Sequence, residues 1–122
     1  MLTIEVTSRK LLQELMKCKQ RFEQLETKPE KSETYFYHNV KPAFEHIMEI
    51  VSLWEPMARK WVLVNKPKNI HTSQIDSTVE NIEHIVLQSF YKDTNKQRFQ
   101  NMYHSVEFVI TAIFTGVELK KQ

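Results

Sequence analysis

"VKPAFEHIMEIVSLWEPMARKW", residues 40–61, decides the fold. Its apolar residues Val40, Phe44, Ile47, Val51, Trp54, Ala58 and Trp61 are separated by alternating steps of 4 and 3. A repeat of ~3.5 residues draws a stripe down one side of an α-helix, whereas a strand needs a period of ~2. Two prolines, Pro42 and Pro56, stand inside this stretch. A proline in mid-helix removes one ladder bond and crowds the preceding turn. On the heptad frame both prolines fall opposite the stripe. The expected result is a helix curved around a core instead of one broken inward.

Three further stripes share that spacing. The first contains Ile4, Leu11, Leu15, Cys18, Phe22 and Leu25; the third contains Ile75, Val79, Ile82 and Val86. Phe99, Tyr103, Val106, Ile110, Ile113 and Val117 form the fourth. Between the stripes lie TKPEKS (residues 27–32), NKPKNIH (65–71) and YKDT (91–94). Thr94 with Gln97 reads as a capping box for the last helix. Connections this short make successive helices antiparallel neighbours. The chain therefore reads as all-α, a four-helix up-and-down bundle in a single domain over residues 1–122. Residues 33–41 exceed the length the second helix needs, and form either a separate turn or an overhang.

Composition narrows the chemistry. Of 122 residues, 17 are Lys or Arg and 15 are Asp or Glu, a net charge of +2. That balance does not by itself imply nucleic acid. The one cysteine, Cys18, has no internal disulfide partner, and MLTIEVTSRK lacks the pattern of a signal peptide. A cytoplasmic location is expected, and no membrane association, because no stretch approaches the ~20 apolar residues of a span. The single glycine, Gly116, argues against phosphate-cradling loops, dinucleotide crevices and β-rich folds, all of which consume glycine.

The connector NKPKNIH is mostly helix-end chemistry. With His71 as N-cap, Gln74 occupies the third helical position of a capping box, and Ile70 and Ile75 hold the two positions of a hydrophobic staple. Thr72 is the alternative cap. Pro67 ends the preceding helix. Lys66 and Lys68 fall outside this account. In an up-and-down bundle they gather with Arg59, Lys60 and His71 at the end where the chain starts and finishes. A helix N-terminus amid such charges is a candidate seat for an anion or nucleic acid.

Lys41-Pro42, Lys66-Pro67-Lys68-x-Ile70-His71, Gln74-Ile75 and Val86-Leu87-Gln88-Ser89-Phe90 together resemble the YppE-like family of small proteins from Gram-positive bacteria. The resemblance covers roughly residues 35–118 and implies a four-helix bundle. It implies no activity and carries over no functional residues.

Metal and catalytic readings find little support. No Glu-x-x-His pair of the di-iron bundles occurs. His46, His84 and His104 fall on outward positions of three different helices. Cys18 lies in a core stripe, where a thiol behaves as a small hydrophobe. No catalytic residues, metal ligands or cofactor are expected, and the chain is read as not an enzyme. The functional signal is the fourth helix, which between Phe99 and Val117 carries one charge, Glu107. Its outer face offers His104, Ser105, Phe108, Thr111, Ala112 and Thr115. A charge-poor face centred on one aromatic has the composition of an interface core, suited to a protein partner or a homo-oligomer. The competing expectation is that residues 33–41 fold over Phe108, burying Tyr35, Phe36 and Tyr37 as well.

Overall fold

The computed structural model describes residues 2–121. Four long helices form an all-α bundle: α1 (Ile4–Gln24), α3 (Lys41–Asn65), α4 (Thr72–Tyr91) and α5 (Lys96–Lys120). A short turn, α2 (Glu33–Tyr35), precedes α3. α1, α2 and α5 start where a side chain accepts from a free backbone amide. Thr3 Oγ1 accepts from Val6 N–H at 3.2 Å, Ser32 Oγ from Tyr35 N–H at 3.1 Å, and Asn95 Oδ1 from Arg98 N–H at 2.8 Å. Asn95, not Thr94, therefore caps α5. Asparagine is at least as good a cap as threonine, and Gln97 turns forward to Asn101 instead of back.

Residues 33–41 continue the second helix. From α2 the chain passes through a π turn, Phe36–Val40, directly into α3. Pro42 explains the turn: it has no N–H, and its ring crowds the carbonyl four residues earlier. Just before it the ladder widens, and Lys41 N–H reaches the Phe36 carbonyl five residues back. Pro42 and Pro56 are both exposed, on the outer side of the helix as expected.

Among the described residues two helices end in the left-handed region without a glycine. Lys66 (φ 48°) closes α3 and Lys92 (φ 54°) closes α4. Their N–H groups bond Val62 and Gln88 carbonyls, each at 2.9 Å. The only glycine has other work. α3 and α5 stand on opposite corners, separated by α1 and α4, which pack across the short diagonal. At one end Trp61 of α3 lies on Gly116 of α5, where an added Cβ would sit 2.8 Å from Trp61 Cζ2.

One apolar core runs the length of the bundle, with Leu11, Trp54, Ile82 and Ile110 fully buried. Among the described residues four polar ones are buried with it: Thr7, Ser8, Thr78 and Ser89. Thr7 and Ser8 fill the gap between Ile4 and Leu11 in the first stripe. Trp54 Nε1 donates to Ser8 Oγ at 3.0 Å, and Arg21 Nη1 donates to Ser89 Oγ at 2.9 Å. These bonds let short polar side chains sit in an apolar layer without orphaned groups.

Candidate functional site

The outer face of α5 follows from its inner one. Phe99, Tyr103, Val106, Ile110, Ile113 and Val117 are buried, and the helical step turns His104, Phe108, Thr111 and Thr115 outward, all exposed. Phe108 is 55% exposed. A groove of about 480 Å³ runs between α4 and α5, where Gln74, Ser77, Thr78 and Asn81 face His104, Ser105, Phe108 and Val109. Elsewhere on the same helix an open surface hollow of about 740 Å³ runs past Glu107, Thr111, Ala112, Thr115, Gly116 and Leu119, all residues of α5. His104, Ser105, Phe108, Thr111, Ala112 and Thr115 all line the groove or the hollow. Sequence reasoning missed Leu119, 62% exposed, although its place eleven residues beyond Phe108 continues the same outer strip. It also missed the α4 wall, whose neutral polar residues carry no periodic signal.

Phe108 differs from the other aromatic residues of α5. Phe99 stacks on Phe22 with ring centroids 4.0 Å apart. Lys19 stands over Tyr103 and Arg9 over Phe114, each at 5.2 Å. Among the described residues Phe108 has neither an aromatic nor a cationic cover. Nor do residues 33–41 shield it. Tyr35 O–H donates to the Phe90 carbonyl at 3.0 Å and its ring meets Phe90 and Tyr91 edge-on. Phe36 and Tyr37 pack against each other and stay exposed. The expectation that this overhang covers Phe108 is thus corrected: the continuous helix carries it to the end of α4 instead.

The basic end is real but partly spent. Arg59 donates to Asp76 at 2.6 Å and to Glu55 at 2.9 Å, and these bonds, Asp76 first, hold its pKa up. Lys66 stands at the α3 C-terminus, where its charge complements the helix dipole; its presence no longer lacks a structural reason. Lys60, Lys66, Lys68 and His71 are exposed, and among the described residues the three lysines have no carboxylate at ion-pair distance. The connector itself forms as read from sequence. His71 N–H donates to Gln74 Oε1 at 2.6 Å, and Ile70 and Ile75 are 3% and 0% exposed.

The remaining reactive groups are dispersed. His46 lies 3.5 Å from Glu14, while His84 and His104 are exposed on α4 and α5. Among the described residues no three of His, Cys, Asp and Glu converge on a common point. Burial pushes the Cys18 thiol up, which disfavours the thiolate a nucleophile needs. Among the described residues no helix is long and apolar enough to cross a membrane.

Comparison with known proteins places this geometry. The sequence model of the bacterial domain of unknown function DUF1798 matches residues 8–117. The uncharacterized protein YppE of Bacillus subtilis (strain 168) is 32% identical over 78 residues, which span 64% of this chain and 63% of that protein. The matched stretch is thus less than two thirds of that relative's length. The crystal structure of Bacillus subtilis yppE superposes with a TM-score of 0.85 at 24% identity, covering 99% of this chain and 98% of that one. A Listeria innocua protein of unknown function gives 0.85 at 18% identity, covering 97% and 93%. At these identities the structures share the fold.

Proposed function

We infer a binding, non-catalytic function for this chain, which belongs to the bacterial DUF1798 family. The observation that carries it is Phe108, a large ring more than half exposed on a face without charge at its centre. Monomeric proteins seldom leave a sizeable apolar patch uncovered, and interface cores are charge-depleted and aromatic-centred. The groove and the open hollow give a partner's side chains somewhere to go. The partner class is a cytoplasmic protein, either foreign or a further copy of the chain. The basic end is the second reading, supported by Lys60, Lys66 and Lys68 standing exposed near the α4 N-terminus.

A photo-crosslinking residue placed at Thr111, with controls at Lys10 and Lys68, tests both in native lysate. Protein adducts at Thr111 but not at Lys10, lost on Phe108→Glu, are expected. Nucleic-acid adducts at Lys68 with none at Thr111 would move the function to the basic end.

A further inference from the structure

We propose that the occupant of the α5 face is a second copy of this chain, docked antiparallel across a two-fold axis level with Ile110. The proposal rests on the binding function inferred above and names its partner.

Electrostatics favours self-pairing. A two-fold interface sets a surface against itself, so a face rich in one sign of charge repels its own image. The strip from His104 to Thr115 avoids that repulsion: its one formal charge, Glu107, is turned by helical spacing about 100° away from Phe108. Foreign partners are commonly steered and oriented by complementary charge, and this strip offers none.

Shape selects the antiparallel direction. Phe108 and Ala112 are one helical turn apart on the same strip. When two α5 helices run antiparallel about the level of Ile110, each Phe108 faces the other copy's Ala112. The same register sets Ser105 against Thr115 and Asn101 against Leu119. Large meets small twice, by one symmetry operation. The open hollow beside Ala112, which Gly116 and Glu107 also line, receives the ring. Parallel pairing sets Phe108 against Phe108 and leaves that hollow empty.

The area fits a reversible dimer. From Asn101 to Leu119 the strip extends ~28 Å. With the α4 wall included it is ~20 Å wide at ordinary helix spacing, or roughly 560 Å² per copy. That is the low end of specific interfaces, the range of weak, transient pairing. Gln74, Ser77 and Asn81 supply the neutral polar rim.

Sedimentation velocity on the full chain, with thermal melting, tests the proposal. The wild type should dimerise. Phe108→Glu should weaken self-association by roughly thirtyfold or more, the loss of a hot-spot aromatic, with the fold intact. Ala112→Phe should do likewise by filling the receiving site. The double swap Phe108→Ala/Ala112→Phe should restore the dimer, since it rebuilds the large-small pair. A mixture of Asn101→Cys and Leu119→Cys chains should form mixed disulfides in preference to either self-pair. Failure of the swap, or self-pairs alone, overturns the arrangement. A wild type that stays monomeric while Thr111 still crosslinks a different protein overturns the second copy and leaves the binding face standing. A monomer that crosslinks nothing there removes both.

Discussion

α1 and α5 lie side by side, 21 and 25 residues long, and treat charge in opposite ways. Cations of α1 are put to use against the bundle: Arg9 on Phe114, Lys19 on Tyr103, and Arg21 on both the Phe90 ring at 4.0 Å and Ser89. Their charged heads lie over these rings along the seams that α1 makes with α5 and α4. The outer strip of α5 has no such residues, and its one large ring stands uncovered. The difference teaches that charge on this molecule is distributed by what each face must do. Cations close seams within the bundle, and the outer strip of α5 carries none, the composition that the proposed interface requires.

The largest expected effect separates the inner and outer sides of α5. Ile110 is fully buried, so Ile110→Ala should cost about 2–5 kcal/mol through lost burial and a residual cavity. Phe108→Ala, a larger truncation, should stay within about 0.5 kcal/mol in dilute solution, because the ring is already in water. Urea unfolding of both variants checks this. A loss of several kcal/mol at Phe108 would make it a core residue and erase the contrast.

Gly116 lies where those two sides meet, lining the outer hollow while Trp61 rests on it. Helix propensity alone predicts that Gly116→Ala stabilises by about 1 kcal/mol. The indole reverses the sign: the new methyl displaces a large ring, and overpacking of this kind costs about 1–3 kcal/mol. In a Trp61→Ala background the same substitution should stabilise. If Gly116→Ala stabilises the wild type, Trp61 swings aside freely and does not tie α5 to α3.

How much of this was legible beforehand depended on periodicity. The four stripes gave the bundle, because apolar residues at helical spacing have few other uses, and Phe108 stood out for the same reason: it breaks the pattern of a solvated face. Ile70, His71 and Gln74 were legible because capping follows fixed offsets. Thr7, Ser8, Thr78 and Ser89 were not, since a buried hydroxyl shows only through a partner, such as the Trp54 indole, that lies far away in sequence. The left-handed Lys66 and Lys92 were hidden because that conformation is normally announced by glycine. The destination of Tyr35 depended on a π turn set by Pro42, and one widened turn redirects every side chain before it.

The cations of α1 provide a smaller test. Arg9→Ala and Lys19→Ala should each lower stability by about 0.5–1 kcal/mol, the scale of exposed cation–π contacts, and the two losses should add, since they act on different rings. Melting of the single and double variants measures this. Losses indistinguishable from zero would mean that these side chains are merely solvated, and that the two helices differ in composition but not in use of charge.

The smallest effect lies where α1 and the end of α5 meet through ions. Glu5 pairs with Lys121. The Lys121 hydrogen bond, and its charge, hold the Glu5 carboxyl below its ordinary value against an opposing effect of burial. The same bond raises the Lys121 ammonium. A folded carboxyl that binds its proton less tightly than the unfolded one stabilises the native state above the unfolded pKa, and this is lost as pH falls through the lowered folded value. The raised lysine acts in the mirror sense and loses its contribution only at strongly alkaline pH. The pair is at the surface, so solvent and salt keep the amplitude small. Glu5→Gln should therefore lower the melting temperature slightly at neutral pH and low salt. The gap to wild type should close as pH falls through the lowered folded pKa of Glu5, where its side chain becomes neutral like that of the glutamine. A gap that persists there would mean that Glu5 holds this seam by packing alone, leaving Arg9 and Lys19, among the described residues, to join α1 to α5 through charge.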